Sequence, residues 1–370
     1  MKNKMAIWTP GGVGAGIQSQ GFPSIVKIVD HLSTQYEIHV YMHARPNLLS
    51  VSGFVLHSSP SWMIPSVLRW LYLVLLFTRS DIKKKHNAIL SFWGYPSGTI
   101  AVVLGKLFHR PSAVFILGGE AANLPEINYG LLRKSLVKKI VLWTCAKTDL
   151  LLAISHYQLD QLKMAGLTRY PRVIPWGADK NLFFAIKKKR ELPLKIIHVA
   201  NLNPVKDQRT LLLAFNSIRK KIDARLRIVG VDVMNGKIQE LVKQLGIEHL
   251  VEFTGGLPYH QIPEQFAWAD LFILTSRSEG QNNSITEAMM CGLLAVSTSV
   301  GIMADLGNDR GIVVDIGDYQ TLADEVVAIW NNPEAWGKKV SNALRWSKTH
   351  DLTWTLQQLD LCFEQLRQPN

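Results

Sequence analysis

Cysteine is scarce in this chain: among 370 residues only Cys145, Cys291 and Cys362 carry thiols, and they are far apart. No Cys-x-x-Cys occurs, and the His39-x-x-x-His43 pair falls at an expected strand (Ile38–Met42) rather than on a helix, so the sequence offers neither a cysteine zinc-ligand spacing nor a disulfide framework, and isolated thiols suit a reducing cytoplasm. Asp-x-Asp is missing too, which leaves no evident metal site. The start, MKNKMAIWTPGG, has basic residues but no apolar h-region or small-residue cleavage site, and predicts no secretory signal. Long hydrophobic runs are also lacking. The most apolar stretch, Trp62 to Phe77, contains Pro65 and Arg69 and falls short of the roughly 20 residues a spanning helix needs; it reads as a buried or surface-lying helix.

Acidic side chains are thin in the first half. Residues 1–195 hold 25 Lys and Arg against 9 Asp and Glu, a balance of +16, whereas residues 196–370 hold 16 against 20, a balance of −4. A basic first half suggests an anionic partner, such as phospholipid headgroups, a lipid-linked phosphate or an acidic glycan; a solvated Lys-rich surface is the plain alternative. With no zinc-finger pattern and no aromatic-basic RNA motif, nucleic acid is not expected.

What is present is an ordinary globular composition, 47% apolar and 19% charged, at a length that suggests two domains. Apolar strand-like runs alternate with amphipathic segments almost throughout. Expected strands are Met5–Thr9, Ile38–Met42, Ala88–Trp93, Ala113–Leu117, Leu150–Ile154, Lys195–Ala200, Arg225–Val229, Val251–Thr254, Leu271–Thr275 and Leu294–Ser297. Segments such as Asp207–Arg219 and Tyr319–Asn331 have helical spacing. This alternation predicts an α/β protein of two Rossmann-like, doubly wound parallel sheets facing a cleft. The expected division is residues 1–180, then 190–346, with a final helix over 347–370 returning toward the first domain.

Three loops following strands carry possible chemistry. Gly11-Gly12-Val13-Gly14-Ala15-Gly16 would let backbone N–H groups approach a phosphate, although a tight strand-to-helix turn explains it equally and the dinucleotide GxGxxG spacing is absent. Asn201-Leu-Asn-Pro-Val-Lys206-Asp207 places a lysine at a helix start, as a diphosphate clamp or as a surface lysine beside an Asp207 cap. The third runs Ser276-Arg-Ser-Glu279-Gly280-Gln281-Asn282-Asn283-Ser284-Ile-Thr-Glu287. Its two carboxylates, across a Gly/Asn loop entering a helix, can both accept hydroxyl hydrogen bonds, as sugar diols require. Alternatively, Ser284-x-x-Glu287 is a capping box and Glu287 only closes the helix end.

Taken in order, these segments resemble the retaining glycosyltransferases of family four, whose GT-B fold has two facing Rossmann-like domains. Glu279 and Glu287 match the family's paired glutamates, and Lys206 matches its lysine after the first donor-domain strand. Phe253-Thr-Gly255, Ala269-Asp270, Gly301 to Asp305, Ile154-Ser155 and Ile174-Pro175-Trp176-Gly177 fall at recurrent family segments. The resemblance implies that Glu279 contacts the transferred sugar, Glu287 the ribose and Lys206 the leaving diphosphate. It further implies donor contacts by Asn201, by backbone groups of Gly280, Gln281, Asn282, Asn283 and Ser284, and by the loop around Gly12 and Gly14. Gly119 and Glu120 would lie on the acceptor side. Two departures stand out: Asn201 occupies the family's arginine position, and Leu117 that of its histidine.

The implied reaction moves a sugar from a UDP- or GDP-sugar to a glycan or lipid-linked acceptor, with retention, without metal or cofactor. The expected setting is cell-envelope polysaccharide or glycolipid synthesis, in the cytoplasm or peripheral to the inner membrane face. An epimerase or hydrolase of nucleotide sugars on the same fold, or a non-catalytic membrane-associated scaffold, is the competing expectation.

Overall fold

In the computed structural model, which describes residues 2–13, 22–44, 53–60, 62, 65–186 and 189–367, strands and helices alternate along the chain. The first half runs β1 (Asn3–Thr9), α1 (Pro23–Gln35), β2 (Tyr36–Met42), β3 (Val55–Ser58), α2 (Ser66–Lys83), β4 (Ala88–Phe92) and α3 (Thr99–Phe108). It continues through β5 (Ser112–Ile116), α4 (Ser135–Lys147), β6 (Leu150–Ala153), α5 (His156–Met164) and β7 (Arg172–Val173). The second half runs β8 (Leu194–Val199), α6 (Gln208–Ile218), β9 (Ala224–Val229), α7 (Lys237–Gln244), β10 (Val251–Gly255), α8 (Ile262–Trp268), β11 (Leu271–Leu274) and α9 (Asn283–Met290). It ends with β12 (Leu294–Thr298), α10 (Gly301–Leu306), β13 (Ile312–Val314), α11 (Tyr319–Trp330), α12 (Pro333–Thr349) and α13 (Leu352–Arg367).

The strands form two parallel sheets, ordered β3-β2-β1-β4-β5-β6-β7 and β10-β9-β8-β11-β12-β13. Parallel sheets are covered on both faces, which explains why their strands read as continuous apolar runs. In β1, Met5 and Ile7 pack on one side with α1 and α13, while Ala6 and Trp8 pack on the other with α2 and α3. The same alternation divides the second sheet. Ile196 and Ile273 face α6, α7 and α11; Ile197 and Phe272 face α8 and α9.

All ten expected strands are present, each within two residues at either end. The strands not expected, β3, β7 and β13, are short and lie at or beside sheet edges, where burial imposes little pattern. Trp93 leaves β4 because it adopts φ +69°, a left-handed conformation that ends the strand. Within the apolar stretch that begins at Trp62, helix α2 starts at Ser66, directly behind Pro65. Among the described residues no helix is long and apolar enough to cross a membrane.

The chain crosses between the two sheets twice, and the crossings touch. Gly177 N–H donates to Thr355 Oγ1 at 2.9 Å, and Leu352 N–H donates to Ala178 O at 3.0 Å. A Cβ on Gly177 would come within 2.1 Å of His350 O, so only glycine lets the two backbones meet there. Beyond this point Leu359, Cys362 and Phe363 of α13 enter the core of the first sheet.

Candidate active site

In each sheet the strand order reverses beside the first strand of that half: β1 lies between β2 and β4, and β8 between β9 and β11. Open α/β sheets bind ligands beyond the carboxyl ends of the strands at such a point. Here the ends of β8 and β9, the start of α9 and the start of α1 enclose a common cleft of about 610 Å³. Phe22, Pro23 and Ser24 line it from the first half; Asn201, Asn203, Lys206, Tyr259, Asn282, Asn283, Ser284 and Glu287 line it from the second.

Lys206 is positioned by its own loop. The Asn203 side chain accepts from Lys206 N–H at 3.2 Å, and Asp207, at φ +47°, caps α6 by accepting from Thr210 N–H. Beneath the loop, buried His198 bonds through Nδ1 to Ile273 O at 2.9 Å, and its Nε2 meets Gln208 at 3.2 Å. Burial pushes this imidazole down to about 4, so it is neutral and Nδ1 is the donor.

Lys206 Nζ reaches Glu279 Oε1 at 2.5 Å, an ion pair mostly shielded from solvent. The same oxygen accepts from Ser276 Oγ at 2.6 Å and Asn282 Nδ2 at 3.1 Å. Three donors on Oε1 fix the carboxylate, and among the described residues Oε2 has no hydrogen bond. The arrangement can hold negative charge at Lys206 and accept a hydroxyl at Glu279 in one place.

Glu287 lies one turn into α9, 5% exposed, and accepts from Tyr259 O–H at 2.8 Å. Burial pushes its carboxyl up to about 7, and the phenol offsets only part of that. The capping-box alternative fails here. Asn282, not Ser284, caps α9, accepting from Ile285 N–H at 3.3 Å, and Glu287 turns away toward Tyr259. Tyr259 had no recognisable signal in the sequence, since it comes from the turn after β10.

Gly280 and Gln281 serve a different contact from the one expected of them. A Cβ on Gly280 would lie 2.2 Å from Leu117 O, so the backbones of the two halves touch there, and Ser155 Oγ donates to Gly280 O at 2.5 Å. The Gln281 amide bonds to both Trp176 N–H, at 2.7 Å, and Trp176 O, at 2.6 Å. Both residues are buried between the halves rather than on the cleft wall. Further bonds cross the same boundary: Asp305 accepts from His156 and Tyr157 N–H at 2.6 and 2.8 Å, and Asn283 Nδ2 donates to Ser24 Oγ at 2.7 Å.

Glu120 is likewise committed. It is buried, and its oxygens accept from the N–H groups of Gly94, Leu117 and Gly118 at 3.0–3.1 Å. It shapes the loop after β5 rather than presenting a carboxylate to an acceptor, and neighbouring Gly119 packs under Tyr129. Asn201 lines the cleft, with Oδ1 accepting from Val231 N–H at 3.0 Å, and contributes no charge. Among the described residues Lys206 is the one cation on the cleft wall. Gly12 takes φ +100° and its Cβ position lies 2.8 Å from the Phe22 ring; Gly14 falls outside the described residues. No three His, Cys, Asp or Glu side chains converge as a metal set among the described residues.

Residues 179–346 match the family model described as "Glycosyl transferases group 1". An N-acetyl-alpha-D-glucosaminyl L-malate synthase of Bacillus anthracis is 32% identical over 141 residues, covering 38% of this chain and 36% of the relative. A putative teichuronic acid biosynthesis glycosyltransferase of Bacillus subtilis is 25% identical over 299 residues, covering 76% and 72%. Sucrose-phosphate synthase from Thermosynechococcus elongatus superposes with a TM-score of 0.83 at 16% identity, covering 99% of both chains. Anabaena HepE, solved in complex with UDP, superposes at 0.77 and 19% identity over 98% of this chain and 100% of that one. The match thus rests on the carboxyl-terminal half for sequence and on the whole chain for architecture: residues 179–346 are similar to the group 1 glycosyl transferases, and the chain has the two-domain GT-B fold of the structures it superposes on.

Proposed function

We propose that this chain transfers a sugar from a nucleoside diphosphate sugar to a glycan or lipid-linked acceptor, with retention of anomeric configuration and without a metal. The observation that carries this reading is one constellation: Lys206 on the cleft wall, bonded to Glu279 at 2.5 Å, with buried Glu287 on the same wall. A cation facing a leaving diphosphate stabilises the charge that grows as the anomeric C–O bond breaks. Glu279 Oε2 accepts a hydroxyl of the transferred sugar, and Glu287 accepts from the ribose. The acceptor oxygen bonds to the anomeric carbon on the face the diphosphate leaves, and its proton passes to a donor phosphate oxygen.

Similar proteins support the donor class. HepE is described in complex with UDP-glucose, and a mycobacterial relative as a GDP-mannose-dependent mannosyltransferase. Relatives described as acting in teichuronic and colanic acid biosynthesis support an envelope polysaccharide or glycolipid setting, in the cytoplasm or at the inner membrane face.

A thermal-shift screen of the purified chain against UDP- and GDP-sugars tests the donor, followed by transfer assays with and without EDTA. Stabilisation by one donor, chelator-resistant transfer and an axial-to-axial anomeric outcome by NMR are expected. Activity lost to EDTA and restored by magnesium or manganese overturns the metal-free scheme. Donor turnover with no need for an acceptor favours the hydrolase or epimerase reading, and no donor binding at all favours a scaffold.

A further inference from the structure

The outer helices of the first domain carry a feature that donor chemistry does not use. Helices α2, α3 and α4 cover one face of the seven-stranded sheet, α2 and α3 sharing one core cluster and α3 and α4 the next. α2 buries Leu73 and Phe77 against the sheet. Its opposite side exposes Val67, Leu71, Leu75 and Ile82, each more than half accessible, on a stripe at near-helical spacing. Beside it α3 exposes Val103 and Leu107, and α4 exposes Leu136 and Trp143. Soluble helices turn polar residues to water, so three neighbouring helices with apolar outer faces mark a docking surface.

The exposed charge on these three helices has one sign. The only carboxylate in the three helices is Asp81, which is buried and bound to Arg110 and His86. Arg79 and Lys83 follow the α2 stripe, Lys106 stands in α3, and Lys139 and Lys147 stand in α4, all exposed, with Lys138 half-buried beside them. At the carboxyl ends of α3 and α4, a cavity of about 800 Å³ is lined by Lys106, Arg110, Lys147 and Arg169, with the Asp149 carboxylate, bonded to Ser112, also on its wall. A second copy meeting this face symmetrically would bring lysines against lysines, which opposes self-association.

We infer that the outer face of α2, α3 and α4 docks on an anionic phospholipid surface, with the apolar stripe entering the headgroup boundary and the flanking lysines and arginines meeting phosphates. Lysine stems cover apolar area while their ammonium groups reach phosphate, and both attractions are needed for stable but reversible attachment. This inference does not depend on what the cleft binds.

Sedimentation with lipid vesicles tests it, using the full chain and phosphatidylglycerol-containing or pure phosphatidylcholine vesicles. Binding to anionic vesicles should exceed that to neutral ones by about tenfold at low salt and fall as salt rises. Leu71→Glu with Leu75→Glu should abolish it, and Arg79→Glu with Lys83→Glu should remove the anionic preference. These positions are exposed, so both variants should keep the wild-type circular dichroism and melting temperature. Equal binding to both vesicle types, or none to either, overturns the inference. So does a dimer by light scattering that Leu71→Glu with Leu75→Glu dissociates, because the face is then a contact between copies.

Discussion

The loops after β1 and β8 hold equivalent places in their sheets, yet among the described residues they are built differently. After β8, side chains do the positioning: Asn203 and Asp207 cap successive turns, Gln208 ties back to Asn201 O, and Lys206 is held against Glu279. After β1 the described residues show mostly backbone and packing. Thr9 Oγ bonds to Gly11 O, Phe22 N–H donates to Gly12 O at 2.8 Å, and no side chain caps α1. An uncapped helix start leaves N–H groups and the positive end of the dipole facing the cleft. Topology thus gives both loops the same place at the cleft, and among the described residues the charged side chains and most of the polar ones lie on the second half.

The sharpest way to break that comparison is Glu279→Gln. The substitution keeps the amide-sized shape but removes the charge that fixes Lys206 and the acceptor for a sugar hydroxyl. Transfer should fall by about 100-fold or more, the scale of losing a preorganised transition-state contact, while the melting temperature changes little. Near-normal turnover would mean that the second half binds the donor without acting on it.

How much of this was legible in the sequence follows the same division. Glu279, Lys206 and Glu287 were visible as candidates because each follows a strand within a short, contiguous segment, and the strands themselves are almost wholly buried. Tyr259 was invisible because its partner lies 28 residues away and nothing local marks the phenol. The side chains of Gln281 and Glu120 have partners that the sequence did not mark, for a related reason. A polar residue beside a glycine turn looks alike whether it meets a ligand or, as here, backbone amides of the other half or its own loop. The edge strands β3, β7 and β13 escaped because short, partly covered strands carry no regular alternation.

Glu287 allows a test of burial on the wall of the second half. Its carboxyl, ordinarily near 4.5, is pushed up to about 7 by burial, so the folded chain keeps a proton that the unfolded chain has released. The associated stability is full below pH ~4.5 and is lost as pH rises to ~7, about 3 kcal/mol in all. Other buried groups titrate too, so the readout is the difference between wild type and Glu287→Gln in urea unfolding at several pH values. Wild type should lose stability relative to the variant between about pH 5 and 7. Ribose hydroxyls favour the ionised form, so nucleotide binding near pH 6.5 should release a proton, seen by calorimetry in buffers of different ionisation enthalpy. A difference that does not vary with pH would place the titration elsewhere.

Lys206→Ala should weaken nucleoside diphosphate affinity by ~1.5–3 kcal/mol, the worth of one charge-assisted bond. Asn201 cannot compensate, since its side chain carries no charge and its Oδ1 already accepts from Val231. The variant also leaves Glu279 without its cation, so Lys206→Ala combined with Glu279→Gln separates the two effects: affinity should stay low even when the unpaired carboxylate is removed. Unchanged diphosphate affinity in both would put the clamp outside this loop.

The smallest expected effect tests the first half directly. Ser24 is its side chain with a bond across the cleft, accepting from Asn283 Nδ2 at 2.7 Å, while the neighbouring cleft residues Phe22 and Pro23 offer no polar side chain. If that half contributes mainly backbone amides and the α1 helix end, Ser24→Ala removes one neutral hydrogen bond and leaves the amides in place. The cost should be ~0.5–1.5 kcal/mol, a few-fold change in donor affinity or rate. Ser24→Pro should do more harm than Ser24→Ala, because it deletes an N–H at the helix start while also removing the hydroxyl. Measured side by side by calorimetry, the two variants separate the hydroxyl from the amide. A loss from Ser24→Ala as large as that from Lys206→Ala would show that side chains carry the chemistry in both halves, and the contrast between the two loops would not hold.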